Sequence, residues 1–254
     1  MLLTIDAGNT NIVFAVFDGE VQQFESRIDT NSSRMEDQYA ILLSEILRLY
    51  GVDVSEITGA IISSVVPPVT RRITSAVKRL TGKTPLIVEP GVKSGLNIKI
   101  DNPGELGADL VCGAVAAKTL YPCPCIAIDL GTVTKVMVLD KSGALMGGVL
   151  SPGVGIGFEV MANKTALLPL VGTAVPEKII STNTTDCIRG GVLYGTACML
   201  DGLIQRFEEE IGQSCTVVAT GGFAEVIVPY CKRKIEINGG LVSQGLRIIY
   251  EKNQ

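Results

Sequence analysis

Histidine is missing from all 254 residues. Any general base must then be a carboxylate, a lysine, a tyrosine or a cysteine, and imidazole-based metal sites are excluded. The seven cysteines are scattered and none forms Cys-x-x-Cys. An odd, dispersed set of free thiols fits a reducing compartment, so a cytoplasmic location is expected. Cys123-Pro124-Cys125 is the one close pair, and with no second pair beside it no metal site is expected there. No Gly-x-x-x-x-Gly-Lys-Ser/Thr occurs, which excludes the P-loop way of holding a nucleotide. Basic runs longer than a pair are limited to Lys232-Arg233-Lys234, which reads as a solvated turn. With a net charge of −4 the chain offers no stripe for nucleic acid. Apolar runs fall short of a membrane span. Asp6, Gly8, Asn9 and Thr10 follow Leu2, Leu3 and Ile5 too soon for a secretory leader. Neither nucleic acid nor membrane is an expected partner.

What is present is a globular composition, 46% hydrophobic and 19% charged, with enough chain for two modest domains. Two segments read alike. Thr4 to Thr10 leads into the apolar run Ile12 to Phe17 and then Asp18-Gly19. Ala127 to Thr134 leads into Val136 to Leu139 and then Asp140 to Gly143. Each reads as strand, tight polar turn, strand, glycine turn and strand, the third strands being Val21 to Ile28 and Ala144 to Val149. A repeat of this size predicts two similar halves.

Helical periodicity covers Met35 to Tyr50, with Tyr39, Leu42, Leu43, Ile46 and Leu47 on one face. Ala60 to Val66 reads as a buried strand closed by Pro67-Pro68. Further helices are expected at Thr70 to Leu80, Leu106 to Leu120, Gly190 to Ile211 and Val242 to Tyr250. Short strands are expected at Leu86 to Val88 and Thr216 to Ala219. This alternation predicts an α/β chain with two mixed sheets flanked by helices, divided into an N-terminal domain, 1–120, and a C-terminal domain, 121–254.

Three features carry chemistry. In Asp6-Ala7-Gly8-Asn9-Thr10 a glycine in a tight turn lets backbone N–H groups approach an anion, Asn and Thr add neutral donors, and the aspartate suits Mg²⁺. Asp, Gly and Asn also form ordinary hairpin turns; the second copy, Asp129-Leu130-Gly131-Thr132, favours a phosphate clamp, which needs loops on both sides of a cleft. Thr220-Gly221-Gly222, at the end of an apolar strand, allows a flat nucleobase or ribose to lie against backbone. Asp109 stands near the start of a helix, where it is either a first-turn acid favoured by the dipole or a base for an acceptor hydroxyl.

Taken in order with Ser64-Val65-Val66-Pro67, Asp101-Asn102-Pro103, Gly147-Gly148, Ser151-Pro152-Gly153, Thr165 to Pro169, Asn183-Thr184 and Gly245-Leu246, these elements resemble the type III pantothenate kinases of the acetate and sugar kinase/Hsp70/actin superfamily. The resemblance runs over nearly the whole chain. It implies a duplicated actin-like (ribonuclease H-like) fold and an ATP-dependent phosphotransferase with an alcohol acceptor, working in coenzyme A biosynthesis as a homodimer. By resemblance the loop from Asp6 through Gly8, Asn9, Thr10 and Asn11 to Val13 binds the ATP phosphates, with Thr132, Gly221 and Gly222 as further nucleotide contacts. Asp109 is the general base, Asp6 serves Mg²⁺ and Asp129 ligates a monovalent cation, K⁺ or NH4⁺. Gly107, Ala108, Asp109 and Thr184 belong to the acceptor side.

The chain departs from that family at three positions. Leu110 follows Gly-Ala-Asp where the family has arginine, and Ile100 precedes Asp-Asn-Pro where it has tyrosine. Both family residues hold the carboxylate end of pantothenate, and losing such an arginine should cost about 2–5 kcal/mol of binding. A neutral acceptor, such as pantetheine or a nucleoside, suits Ile100 and Leu110 better; if pantothenate is used, Lys99 or Arg189 must supply the cation. Lys135 stands where the second phosphate loop has threonine. It adds positive charge near the nucleotide, or displaces the monovalent cation, or points away by strand alternation, and the last is the expectation. A non-catalytic nucleotide-binding sensor, or an ATPase or phosphatase of the same superfamily, is the alternative.

Overall fold

Leu3, Ile5 and Ala7 bury one face of the first strand, and Ile12, Phe14 and Val16 bury the matching face of the second. The computed structural model describes every residue from Met1 to Gln254. The order is β1 (Leu2–Ala7), β2 (Asn11–Asp18), β3 (Val21–Asp29), α1 (Glu36–Leu49), β4 (Gly59–Ser64), α2 (Pro67–Thr81), β5 (Leu86–Ile87), α3 (Ala108–Leu120), β6 (Cys125–Leu130), β7 (Val133–Leu139), β8 (Leu145–Pro152), α4 (Val154–Lys164), α5 (Thr184–Ile211), β9 (Thr216–Thr220), α6 (Ala224–Ile227), β10 (Glu236–Ile237) and α7 (Leu241–Glu251).

Two five-stranded sheets share one topology, β3-β2-β1-β4-β5 and β8-β7-β6-β9-β10. In each, a central strand pairs antiparallel with the strand that follows it and parallel with the strand returning after a helix. The strand order thus repeats in both halves, the second carrying the additional helix α4 before α5, and the fold is the duplicated actin-like α/β architecture with two mixed sheets. Asp6 lies opposite Val13, and Asp129 lies opposite Lys135.

The chain forms two compact units, and they correct a single cut at residue 120. One unit takes residues 1–96, 101–119 and 240–254; the other takes 97–100 and 120–239. Helix α7 joins the first unit because Leu246, Ile248 and Ile249 pack with Ile61, Val88, Cys112 and Val115. Residues 97–100 join the second because the Leu145 N–H donates to the Asn97 carbonyl and the Lys99 N–H to the Leu145 carbonyl, both at 2.8 Å.

Other boundaries differ for local reasons. Pro67-Pro68 opens α2 rather than merely ending β4, since proline at the first helical turns forfeits no hydrogen bond. Helix α5 begins at Thr184, well before Gly190, because Asn183 Oδ1 accepts the Asp186 N–H at 2.9 Å and caps it. Helix α4 was not expected from the sequence, as Gly155 and Gly157 weaken its helical signal. At 28 residues α5 is long and apolar enough to cross a membrane, yet Ile188, Leu193, Ala197, Leu200 and Ile204 are buried in the core of the second unit.

Candidate active site

In the first unit the β1–β2 turn is braced from below. Gly8 N–H closes the hairpin onto the Asn11 carbonyl at 2.9 Å. Thr30, just past β3, holds the loop's carbonyls: its Oγ1 donates to the Gly8 oxygen at 2.7 Å and its N–H to the Thr10 oxygen at 2.8 Å. Asn9, Thr10 and Asn11 are exposed. Turning the carbonyls onto Thr30 removes them from the loop's outer rim, which suits an anion. The Gly8 N–H itself is spent on the hairpin, so it is not an anion donor as the sequence suggested.

Asp109 occupies the first turn of α3, where Oδ1 accepts the Leu110 N–H at 2.9 Å. Gly107 makes room for it: a Cβ on residue 107 would stand 2.6 Å from Asp109 Oδ1. One turn on, Cys112 is fully buried. Burial pushes its thiol well up, the charges of Asp6 and Asp109 push it further, and Ser63 offsets part of the effect. Ser63 is the β4 neighbour of Asp6. The two carboxylates therefore lie within electrostatic reach of one buried thiol, at the adjoining ends of β1, β4 and α3.

The second unit carries the other hairpin. Thr132 is exposed at its turn, and the Thr132 carbonyl accepts the Gly153 N–H at 3.2 Å. Gly221, at φ +94°, follows β9; a side chain there would meet the Leu130 backbone at 2.6 Å and Asp129 Oδ1 at 2.7 Å. Its glycine is required by packing on β6 and by a left-handed backbone, whatever a nucleotide adds. Gly222 is exposed beside it. Thr184 is exposed at the start of α5.

Lys135 does not point away. Its Nζ lies 2.7 Å from Asp129 Oδ2, with both side chains mostly buried. Directly opposed residues of an antiparallel pair share a face, so the register forces the two together. The resemblance gives a monovalent cation to Asp129. In the structure the Lys135 ammonium is bonded to Oδ2 of that carboxylate. For Asp6, no cluster of three carboxylates or thiols exists that could hold a metal by itself. Mg²⁺ takes one or two carboxylates and draws its other ligands from phosphates and water.

The two suggested suppliers of positive charge are engaged elsewhere. Lys99 Nζ meets Asp140 Oδ2 at 2.7 Å; Arg189 donates to the Gly172 carbonyl at 3.1 Å and pairs with Asp186 at 3.3 Å. Ile100 and Leu110 are both half-buried apolar side chains. Sequence reasoning missed Thr30 and Cys112: the β2–β3 register brings Thr30 to the first loop, and the buried side of α3 brings Cys112 near Asp6 and Asp109.

A family profile described as "Type III pantothenate kinase" matches residues 2–206. Proteins named type III pantothenate kinase match end to end: one from Moorella thermoacetica is 37% identical over 253 residues, covering all of both chains. Another, from Exiguobacterium sibiricum, is 39% identical over 254 residues with the same coverage. Among solved structures, a conserved putative Baf family transcriptional activator from Campylobacter jejuni superposes with a TM-score of 0.64 at 17% identity, covering 99% of this chain and 98% of that one. The activator of 2-hydroxyisocaproyl-CoA dehydratase from Clostridium difficile, with bound ADPNP, gives 0.59 at 15%, covering 99% and 96%. These two likenesses are of fold.

Proposed function

The chain belongs to the type III pantothenate kinase family and is an ATP-dependent small-molecule kinase, and on that premise we propose that Asp109 is its general base and that its acceptor is a primary alcohol with an uncharged far end. The observation that carries the base assignment is the Asp109 carboxylate itself, fixed by the Leu110 N–H beside the side-chain-free Gly107. Asp109 takes the proton of the acceptor hydroxyl, the freed oxygen attacks the γ-phosphorus of ATP, and the bond to the β–γ bridging oxygen breaks with its electron pair leaving on ADP. Such a transfer needs alignment and charge neutralisation more than covalent help. Mg²⁺, which the family implies, supplies charge neutralisation on the phosphates, with Asp6 as its protein carboxylate. The Asn9 to Asn11 rim receives phosphate in the first unit; Thr132, Gly221 and Gly222 receive the nucleotide in the second.

The acceptor reading rests on Ile100 and Leu110. The relatives' name makes pantothenate the reference acceptor, but neither side chain can pair with a carboxylate, and Lys99 and Arg189 already have partners. Gly107 and Ala108 line the approach to Asp109, and Thr184 contacts the acceptor. The protein works in the cytoplasm as a homodimer. Leu167, Leu170, Ile179 and Ile180, all strongly exposed in the stretch before α5, supply apolar surface for a partner copy.

The test is ADP formation from ATP and Mg²⁺ with pantothenate, pantetheine, nucleosides or no acceptor. Turnover with a neutral acceptor, and at least tenfold less with pantothenate, is the expected result. Efficient turnover with pantothenate overturns the acceptor assignment. ATP binding without transfer to any acceptor marks a sensor, and acceptor-independent ADP release marks an ATPase.

A further inference from the structure

Asp6 and Asp129 occupy matching places, each the last residue but one of a central strand. The residues opposite them differ: Val13 in the first sheet, Lys135 in the second. A neutral residue in one copy and a lysine in the other mark a function that only the second hairpin has. Lys135 Nζ lies 2.7 Å from Asp129 Oδ2, and the two side chains are only 18% and 22% exposed. The other carboxylate oxygen, Oδ1, is turned toward Gly221 and Gly131. The ammonium is thus seated at the base of the two loops, Gly131-Thr132 and Thr220-Gly222, that receive the nucleotide in the reading above.

We propose that Lys135 is a tethered monovalent cation: its ammonium permanently supplies the positive charge that a soluble K⁺ or NH4⁺ would bring to Asp129, making nucleotide binding and transfer independent of monovalent salts. The chemistry matches, because a lysine head is an alkylated ammonium ion, a compact charge with three donors. A covalently held charge is present at every encounter with nucleotide and costs no capture of an ion. Being attached to β7, it also cannot be exchanged when the ionic composition changes. A soluble cation on the same carboxylate would meet the repulsion of the ammonium already there. The proposal rests on the nucleotide-site reading of the second hairpin, and its test is separable from the acceptor question because ADP binding needs no acceptor.

The experiment measures ADP affinity by calorimetry, and turnover beside it, in K⁺, in NH4⁺ and in tetramethylammonium at equal ionic strength with Mg²⁺ constant. Three proteins are compared: the natural chain, Lys135→Met, which keeps bulk and loses charge, and Lys135→Thr, which opens space. The natural chain is expected to vary less than twofold among the salts. Lys135→Thr should lose at least tenfold in affinity in tetramethylammonium and regain most of it in K⁺ or NH4⁺, while Lys135→Met, with its space filled, should be weak in every salt. A natural chain that loses tenfold or more of its ADP affinity without K⁺ or NH4⁺ overturns the proposal without reference to any variant. So does a Lys135→Thr protein that binds ADP as the natural chain does in every salt. An acceptor panel that proves inert leaves the ADP measurement fully readable.

Discussion

Gly107 and Asp109 fit one another: the Asp109 Oδ1 occupies space 2.6 Å from where a side chain on residue 107 would begin. Gly107→Ala should therefore push the carboxylate off the Leu110 N–H while leaving its chemistry intact. Displacing a reacting group by about 1 Å costs up to about a hundredfold, so kcat should fall between ten- and a hundredfold. Asp109→Asn, which removes the proposed base, should cost about 10²–10⁴-fold. Steady-state kinetics with circular dichroism as a folding control checks both. Natural kcat in Asp109→Asn would end its assignment as base.

Thr30 braces the β1–β2 loop, proposed to receive phosphate, through the Gly8 and Thr10 carbonyls. Thr30→Val deletes the hydroxyl bond and leaves the backbone bond. One hydrogen bond is worth about 0.5–1.5 kcal/mol, so the KM for ATP should rise roughly two- to tenfold with the acceptor KM unchanged. Equal rises in both would place the effect in general stability, not in the loop.

Much of the fold was legible because the repeat is local. Asp-x-Gly turns followed by apolar runs predicted β1–β3 and β6–β8, and helix periodicity predicted α1, α3 and α7 within a few residues. What was missed depends on contacts between distant segments. Helix α7 has an apolar face that fits either half; only its packing with Ile61 and Cys112 assigns it to the first unit. Lys135 is the instructive case. Alternation along β7 alone leaves its direction open, but pairing across the turn does not. With Leu130 opposite Thr134, Asp129 must face Lys135. Thr30 had no sequence signal at all, since a lone threonine after a strand becomes a brace only when the third strand lies against the first turn.

The segment carrying Ile100 is tied down by Lys99 and Asp140. The Lys99 ammonium, then the Ser142 hydroxyl and the Ala144 N–H, hold the Asp140 carboxyl far below its ordinary value. A depressed carboxyl stabilises the fold above its unfolded value of about 3.9, and that contribution is lost as pH falls toward the folded value. Asp140→Asn should accordingly be less stable than the natural chain at pH 6, with the gap closing toward pH 3 in urea titrations. Since the pair is partly solvated, the acceptor KM should change by no more than about fivefold and the KM for ATP should not move. A gap that widens on acidification would refute the ion pair as its source.

Thiol chemistry should divide the cysteines sharply. Burial pushes Cys125 and Cys231 up to about 12, and Cys112 well above the ordinary thiol value. At pH 8 a thiol raised to about 12, as in Cys125 and Cys231, is about one ten-thousandth thiolate. Cys187 and Cys198 are the exposed ones. A disulfide reagent at pH 8 should thus titrate about two thiols quickly, with Cys112 and Cys125 reacting only after unfolding. Mass spectrometry of the labelled peptides identifies them, and rapid labelling of Cys112 would contradict its full burial.

Gly245 provides a route to disturb α3 through its contact with α7. It lies against the Cys112 carbonyl, and a Cβ there would overlap that backbone group. Neither partner is a flexible side-chain end, so α7 and α3 must separate. Overpacking of this kind costs about 1–3 kcal/mol, which for a chain of this size lowers Tm by roughly 3–10 °C. Because Cys112 lies one turn beyond Asp109 on α3, Gly245→Ala should also lower kcat, whereas loss of stability alone would leave kcat of the folded fraction unchanged. Gly191 is the control: it stands inside α5 with open space where its Cβ would be. Gly191→Ala should raise stability by about 0.4–1 kcal/mol through the unfolded chain and leave kcat alone. If both substitutions shift Tm but neither shifts kcat, α3 tolerates the strain without moving Asp109.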